Sequence, residues 1–311
     1  MNDDLKITEP RLHVCICVAT YKRPKGLARL LDGLQELRFE RTPAPRIEVV
    51  VVDNDPGEAE TRDIVDVPSA LPIVHVVEPR RGISFARNAA VRATRAREAD
   101  LMAFIDDDEV PDPDWMDELI RVMENEEADV VTGPVLPLFE VEPPKWIVRG
   151  RFFDLPRYST GETLDRAYTN NVLFRVSVLD GFPGPFNEER ALSGGEDVEL
   201  FLEIARAGYR IVWADGAIVR EWNPASRLSA SWILKRAFRV GNTWGTLRPG
   251  LQPSFQIATR EFAKGVLLFL PSLVRGRHAI ITALRLMMRG MGYLAGKTGF
   301  RLEEYRRTHG A

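Results

Sequence analysis

The sequence predicts an α/β protein with a doubly wound, mostly parallel sheet and a basic helical extension at its C-terminal end. Strand-length apolar runs alternate with helical patterns, which is the order that gives a parallel sheet. The runs are continuously apolar instead of alternating with polar residues, which indicates that both faces of the sheet are covered. The predicted strands span residues 12–19, 47–52, 72–77 and 101–105.

Helical patterns and a long loop fill the remaining part of the first 210 residues. Leucines recur at helical spacing over residues 27–37, and an Ala- and Arg-rich helix is predicted over 86–99. Prolines mixed with aromatic residues over 134–165 predict a long loop of the functional kind. A short strand over 169–175 follows, and then a helix that Gly208 closes.

The cysteine content and the charge limit the classes of protein to which the chain can belong. Cys15 and Cys17 lie in the first strand, where buried free thiols and a reducing cytoplasm are expected. No apolar core precedes residue 12, so no secretory signal is predicted. Residues 226–311 carry a balance of +12, whereas residues 1–225 carry −15. Two segments of opposite charge are expected to meet different partners, and the basic one indicates anionic lipid or nucleic acid.

The fourth predicted strand ends abruptly in four acids, Asp106 to Glu109. Adjacent carboxylates repel one another unless a cation compensates their charge. Mg²⁺ and Mn²⁺ prefer oxygen ligands and often share them with substrate phosphates. The run therefore indicates a metal-bridged diphosphate at a strand end, although a solvated acidic turn that caps the next helix explains these residues alone equally well.

The other predicted strands also end in polar residues. They lead into residues 20–24, 53–55 and 80–82, and ligands in doubly wound sheets bind at such carboxyl ends. No dinucleotide fingerprint or P-loop motif is present. Glu196 and Asp197 follow a glycine pair at a predicted helix start, where the helix dipole favours acids, so capping and catalysis remain alternatives.

Taken together, these segments resemble the family 2 glycosyltransferases, which are inverting enzymes with the GT-A nucleotide-sugar-binding fold. The resemblance covers about residues 12–245, and Lys22 stands where the family usually has Asn. The segments that carry it, in order, are 19–24, 51–54, 82–88, 106–108, 170–175 with 186–188, 194–197 and 232–241.

The resemblance implies roles for the acids. Asp197 is the expected catalytic base, and Glu196 is expected to support the base or the acceptor. Asp108 is the expected ligand of a divalent cation, Mn²⁺ or Mg²⁺, with Asp106 contacting the metal or the ribose. Many relatives supply a further metal ligand, often His, after the base. This chain has no His there, and Glu221 occupies the comparable stretch.

The resemblance also implies which residues hold the donor and the acceptor. Asn170 and Asn171 are expected to face the acceptor. The expected nucleotide-binding residues are Thr20, Tyr21, Arg23, Asp53, Arg87, Asp106 and Asp107.

The C-terminal segment from 262 to 295 is both apolar and basic. Its uninterrupted apolar run, 265–274, is too short for a bilayer span of ~20 residues. An interfacial segment on an anionic membrane is expected, and a basic hairpin packed on the catalytic domain is the alternative. No nucleic-acid partner is expected, because no binding motif accompanies the charge. The predicted division is a catalytic domain, 1–230, and a membrane-associated helical region, 231–311.

These observations predict a metal-dependent, inverting glycosyltransferase at the inner face of the cytoplasmic membrane. Its donor is expected to be a nucleotide-diphosphate sugar, UDP-linked, and its acceptor a glycan or lipid-linked hydroxyl in cell-surface polysaccharide synthesis. A single base with in-line attack implies inversion. A nucleotidyltransferase and a catalytically silent membrane adaptor with the same fold are the alternatives.

Overall fold

Strands and helices alternate through the first half of the chain in the computed structural model, which describes residues 11–303 except 56, 58 and 248–250. The strands are β1 (His13–Thr20), β2 (Arg46–Asp53), β3 (Ile73–Val77), β4 (Leu101–Ile105), β5 (Glu109–Pro111), β6 (Val130–Thr132), β7 (Val135–Phe139), β8 (Thr163–Leu164), β9 (Asn171–Arg175), β10 (Ile211–Trp213) and β11 (Val219–Asn223). The helices are α1 (Pro24–Gln35), α2 (Ala59–Val65), α3 (Ile83–Arg95), α4 (Trp115–Asn125), α5 (Lys145–Gly150), α6 (Glu196–Arg206), α7 (Ala230–Leu247), α8 (Leu251–Ser272) and α9 (Arg277–Lys297).

The predicted α/β fold is confirmed, and the first four strands lie within one residue of their predicted bounds. The prediction of a long loop over 134–165 is wrong, because that segment contains β7, α5 and β8. β7 pairs with β11, which lies about eighty residues further along the chain. Such a distant partner leaves no local pattern in the sequence, whereas the prolines of the segment read as loop signals.

The larger sheet has eight strands in the order β3-β2-β1-β4-β9-β6-β10-β8. The first four of these are parallel, and β9 runs antiparallel between β4 and β6. Thr20 at the end of β1 is in register with Asp53 at the end of β2. The carboxyl ends of β1, β2 and β4 therefore meet at one edge of the sheet, as the sequence predicted.

Apolar side chains pack on both faces of this sheet. On one face Leu27 and Leu30 of α1 join Trp115 of α4, and all three are buried. On the other face the alanines of α3 and the apolar residues of α6 cover Cys15 and Cys17. Both cysteines are buried free thiols, as predicted, and burial raises the pKa of Cys15 to about 11.

A second, three-stranded sheet brings distant segments to the acidic run. Its order is β5-β11-β7, and β11 places Glu221 opposite Glu109. Beyond it, α9 packs against both α7 and α8. No helix in the described part of the chain is long and apolar enough to cross a membrane. The division of the chain at residue 230 stays a prediction.

Candidate functional site

A cleft of about 220 Å³ opens at the edge of the sheet where β1, β2 and β4 end. Residues that directly follow these three strands line it, because parallel strands present their carboxyl ends together. Helix α7 and the segment before it close the opposite side. The charged residues that line the cleft are Arg23, Arg81, Arg87, Arg227, Arg236, Arg239, Asp106, Asp107, Asp108 and Glu221.

Arginines outnumber acids along this lining. Partial burial lowers the pKa of Arg236, against the attraction of Glu221, yet a guanidinium keeps its charge in proteins. Arginine forks also match the geometry of phosphate oxygens. The cleft therefore suits an anion with more than one charge, such as a diphosphate. Sequence reasoning gave no role to Arg81, Arg227, Arg236 or Arg239, although Arg236 and Arg239 lie in the segment 232–241 that carries part of the family resemblance.

Asp107 ties the end of β4 to the end of β1. Its Oδ2 accepts a 2.8 Å hydrogen bond from Thr20 Oγ1, and its Oδ1 accepts a 2.9 Å bond from Arg23 Nη1. Only 4% of Asp107 is exposed, so this residue is not part of a solvated turn. Burial opposes the charge of Arg23, but Asp107 and Asp108 raise its pKa above the ordinary value. Thr20, Arg23 and Asp107 thus position one another at the cleft wall.

Asp108 is held by two arginines from distant parts of the chain. Its Oδ2 lies 3.2 Å from Arg23 Nη1 and 2.8 Å from Arg227 Nη2. The guanidinium of Arg227 also donates a 2.7 Å bond to Glu221 Oε1. Arg227 therefore bridges Asp108 and Glu221, which the pairing of β11 with β5 brings side by side.

Asp106 lines the cleft, and its carboxylate contacts Arg87. Arg87 Nη2 lies 3.3 Å from Asp106 Oδ1, and Arg87 Nη1 donates a hydrogen bond to Glu196 Oε1. The Asp106 side chain keeps 42% of its surface exposed, yet desolvation by its surroundings raises its pKa to about 6, with Arg87 opposing and Asp108 adding to the shift. Arg87 therefore links the acidic run to α6.

Glu196 is buried and accepts a hydrogen bond from Arg87. It is 1% exposed, and its Oε2 has no hydrogen-bond partner among the residues that the structure describes. Burial raises its pKa to about 7, and the charge of Arg87 opposes that rise. Its carboxylate therefore holds Arg87 at the start of α6, and its support of the base or the acceptor stays a prediction.

Glu109 ends the acidic run inside the protein. It is 2% exposed, and its Oε2 accepts a 2.9 Å bond from the backbone N–H of Asp106. Burial, together with the neighbouring Asp106 and Asp108 carboxylates, raises its pKa well above the ordinary value. A raised pKa favours the uncharged form of Glu109, which adds less repulsion to the run.

Asp197 lies in the first turn of α6 and is half-buried. Its Oδ1 accepts a 2.8 Å bond from the Val198 N–H, and its Oδ2 lies 3.4 Å from Thr169 Oγ1. Gly195 precedes it with φ of 86°, and a Cβ there would collide with Thr243 of α7. Asp197 therefore lies at the start of α6 next to Glu196, but it is not one of the residues that line the cleft.

The expectation that Asn171 faces the acceptor is wrong. Asn171 is fully buried, and its Oδ1 accepts a 2.8 Å bond from Trp115 Nε1. Its Nδ2 donates to the backbone carbonyls of Ala217 and Pro134 at 2.8 and 3.1 Å. The side chain thus connects β9 to α4 and to the segments that precede β7 and β11. Asn170 is half-buried, and its acceptor role stays a prediction.

Asn54, and not Asp53, lines the cleft after β2. Asp53 is 2% exposed and accepts a 2.9 Å bond from the Asp55 N–H. Asn54 Oδ1 accepts a 2.7 Å bond from the Gly82 N–H and so fixes the start of α3. Tyr21 lines the cleft beneath the guanidinium of Arg81, 4.8 Å from its ring centre. The nucleotide-binding role of Asp53 stays a prediction.

The acids of the cleft offer donors for a hard cation that is shared with a ligand. Within the described residues, no three His, Cys, Asp or Glu side chains converge on one cation position. Mg²⁺, however, is usually bound by one or two carboxylates together with substrate phosphates and water. Asp106 and Asp108 both line the cleft and offer carboxylate oxygens to it. This donor set fits a cation held jointly with a diphosphate.

Two family models match the chain. The model described as Glycosyl transferase family 2 matches residues 15–182, and the one described as Glycosyl transferase family group 2 matches residues 101–295. Together the two matches extend from β1 into α9, so they include the whole cleft.

Similar proteins come from bacteria and archaea. The chain is 32% identical over 310 residues to the succinoglycan biosynthesis protein ExoM of Rhizobium meliloti, which covers 94% of this chain and 96% of ExoM. It is 22% identical to the glucosyl-dolichyl phosphate glucuronosyltransferase of Haloferax volcanii, over 74% of this chain and 75% of that protein. The crystal structure of S. aureus TarS 1-349 in complex with UDP-GlcNAc superposes with a TM-score of 0.54 at 15% identity, covering 93% and 92% of the two chains. This last similarity concerns the fold alone.

The buried contact of Glu196 predicts a stability effect. Glu196→Ala should lower the free energy of unfolding by about 3 kcal/mol, because it leaves the buried Arg87 without its inner partner. Asp197→Ala is the matched control, and the loss of a helix-start charge should cost about 1 kcal/mol or less. Urea denaturation at pH 8, where Glu196 is ionised, measures both variants. Equal losses would contradict the positioning role of Glu196.

Proposed function

The chain belongs to glycosyl transferase family 2, and we propose that it transfers a sugar from a nucleotide-diphosphate sugar, UDP-linked, to an acceptor hydroxyl with inversion of the anomeric centre. The observation that carries this proposal is the meeting of the acids after β4 with six arginines in one cleft at the strand ends. Family membership argues against the nucleotidyltransferase alternative.

The donor would bind with its diphosphate among the arginines. A departing nucleoside diphosphate gains negative charge, and cations fixed in place stabilise that charge without having to reorganise. Arg236 and Arg239 lie on the second and third turns of α7, whereas Arg23 and Arg87 lie across the cleft near the strand ends. Tyr21 and Asn54, at the ends of β1 and β2, would contact the nucleoside, and Asp53 would contact its base.

Asp197 would act as the base that removes the proton from the acceptor hydroxyl. A carboxylate at this position can accept that proton while the hydroxyl oxygen attacks the anomeric carbon and the diphosphate leaves. Arg87 connects Asp106 in the cleft with Glu196, the neighbour of Asp197. This connection supports a base held at a fixed distance from the donor. One base with direct attack gives inversion, because no protein nucleophile forms a bond to the sugar.

We also propose that Mn²⁺ or Mg²⁺ assists the reaction. Asp108 and Asp106 would hold the cation, which would supply positive charge beside the diphosphate. The carboxylate donors in the cleft support this assignment, and Arg227 would then remain on Glu221.

The acceptor would be a glycan or a lipid-linked sugar in cell-surface polysaccharide synthesis. The relative that is 32% identical is a succinoglycan biosynthesis protein, which supports this class. The enzyme would work in the cytoplasm, peripherally on the inner face of the membrane. The basic charge of residues 226–311 supports that location.

Nucleotide binding gives a direct test of the donor assignment. UDP should raise the melting temperature of the protein, since a ligand that binds only the folded state stabilises it. Asp53→Asn should weaken UDP affinity about tenfold in titration calorimetry, the scale of one hydrogen bond to a charged group. Asp55→Asn, which alters a carboxylate that pairs with Lys22 at 3.3 Å, is the control and should bind normally. Unchanged affinity in the Asp53 variant would reduce that residue to a strand-end cap.

The cation assignment is tested at Asp108. Asp108→Asn should abolish the part of UDP binding that depends on Mn²⁺ and should cost about 100-fold in turnover, the loss typical of a main electrostatic stabiliser. Asp112→Asn is the control, because Asp112 pairs with Arg220 at 2.7 Å outside the cleft. Circular dichroism checks folding. Full Mn²⁺-dependent binding by the Asp108 variant would remove Asp108 from the cation site.

The base is tested by a variant that keeps its size. Asp197→Asn should reduce transfer about 100- to 10,000-fold, the usual worth of general base catalysis. UDP affinity should change little, because the base acts mainly in the transition state. Glu203→Gln, an exposed carboxylate on the same helix, is the control. A less stable but nearly fully active Asp197 variant would favour the capping role and overturn Asp197 as the base.

A further inference from the structure

Helix α8 uses a narrow face for its contact with the protein. Ala258, Gly265 and Ser272 recur every seven residues along it and are buried. A Cβ on Gly265 would lie 2.6 Å from Met287 Cγ and 2.7 Å from the Ala283 carbonyl of α9, so the two helices approach closely. This ridge of small residues leaves the broad remainder of α8 outside the contact.

The face of α8 that points away from α9 is apolar and open. Leu267 is 75% exposed, Leu270 is 74% exposed, and Val274 in the turn after the helix is 90% exposed. Large contiguous apolar patches are rare on the surfaces of monomeric proteins and usually mark an interaction site. Other exposed apolar side chains of the same helix and turn are Phe255, Phe262, Val266, Leu268 and Leu273.

Helix α9 lies between this face and the catalytic cleft. Its Gly292 approaches the backbone of Phe238 and Asn242 on α7, whereas Gly290 approaches Ala258 on α8. The two contacts use opposite sides of α9, because 100° per residue separates successive side chains. Helix α8 is therefore the outer layer of the helical region.

Positive charge accompanies the apolar face. Residues 251–297 contain seven lysines and arginines and one acid, Glu261. Glu261 is neutralised by Arg289, whose Nε lies 3.0 Å from it. Arg260, Lys264 and Arg275 are exposed on α8 and the turn. An apolar helix face edged by basic side chains is complementary to an anionic bilayer surface.

We infer that the outer face of α8 and the turn after it bind the surface of an anionic membrane. Leu267, Leu270 and Val274 would enter the boundary between headgroups and acyl chains, and the neighbouring basic side chains would contact the headgroups. The inference rests on the proposed membrane location and names the surface that produces it.

Arg285 and Arg289 of α9 contact other parts of the protein. Arg285 lies over the Phe152 ring at 5.5 Å, and Arg289 pairs with Glu261 of α8. The sequence alternatives, an interfacial segment or a packed hairpin, are thus divided between α8 and α9. Because α7 packs on α9 and also carries Trp232 and Arg236 into the cleft, a bound α8 would hold the cleft at a fixed orientation to the bilayer.

The test is vesicle flotation with the full chain. Wild-type protein should float with vesicles of phosphatidylglycerol and phosphatidylcholine, less with phosphatidylcholine alone, and less at high salt. The double variant Leu267→Glu, Leu270→Glu should bind at least about tenfold more weakly, because charge cannot enter the acyl boundary. Val67→Glu is the matched control, since Val67 is 60% exposed and follows α2, far from α8 in the sequence. It should float like wild type.

UDP affinity of each protein, measured by calorimetry, separates this inference from the proposed activity. Normal UDP binding with lost flotation supports the membrane surface. Flotation without UDP binding in wild type would refute the donor proposal while the surface stands. Equal flotation of the double variant and wild type would overturn the inference. The inference would also be overturned if the wild-type protein were a dimer that does not bind vesicles and the double variant were a monomer. The face would then join two copies of the chain.

Discussion

Repulsion among four consecutive carboxyl groups is the constraint around which the cleft is organised. The acids from Asp106 to Glu109 follow a buried strand, where a low local dielectric strengthens every charge interaction. Arg87 faces the first, Arg23 the second, and Arg227 the third. The last is buried, and its surroundings raise its pKa, which favours its uncharged form. Because these arginines come from three separate parts of the chain, meeting the charge requirement also assembles the cleft walls.

The same compensation joins the donor side of the cleft to the expected base. Arg87 is 5% exposed and contacts both Asp106 and Glu196. A buried guanidinium between two carboxylates has few alternative positions, since leaving either one would strand a charge. Asp197 follows Glu196 in the first turn of α6, so its position depends on this link. The ion pairs of Arg87 that the fold requires would thereby also fix the position of the expected base.

The helical region extends the same arrangement outward. Helix α7 contributes Trp232, Arg236 and Arg239 to the cleft lining. It packs on α9, and α9 packs on α8. The close packing of small residues between these helices leaves little room for them to move independently. Membrane contact through α8 would therefore be transmitted to the cleft as an orientation and not as a change of its chemistry.

The sequence by itself determined the strands β1 to β4 and β9, the helix start at Glu196 and the acids at the end of β4. These features depend on local periodicity and on the rule that parallel strands present their carboxyl ends together. Only the tertiary structure decided how those residues are used. Asn171 has the sequence context of an acceptor contact, yet the antiparallel insertion of β9 turns its amide into the core. Arg227 reaches Asp108 because β11 pairs with β5 across more than one hundred residues. Contacts between segments so far apart in the chain leave no periodic or motif signal in a single sequence, because their geometry exists only after the sheets have formed.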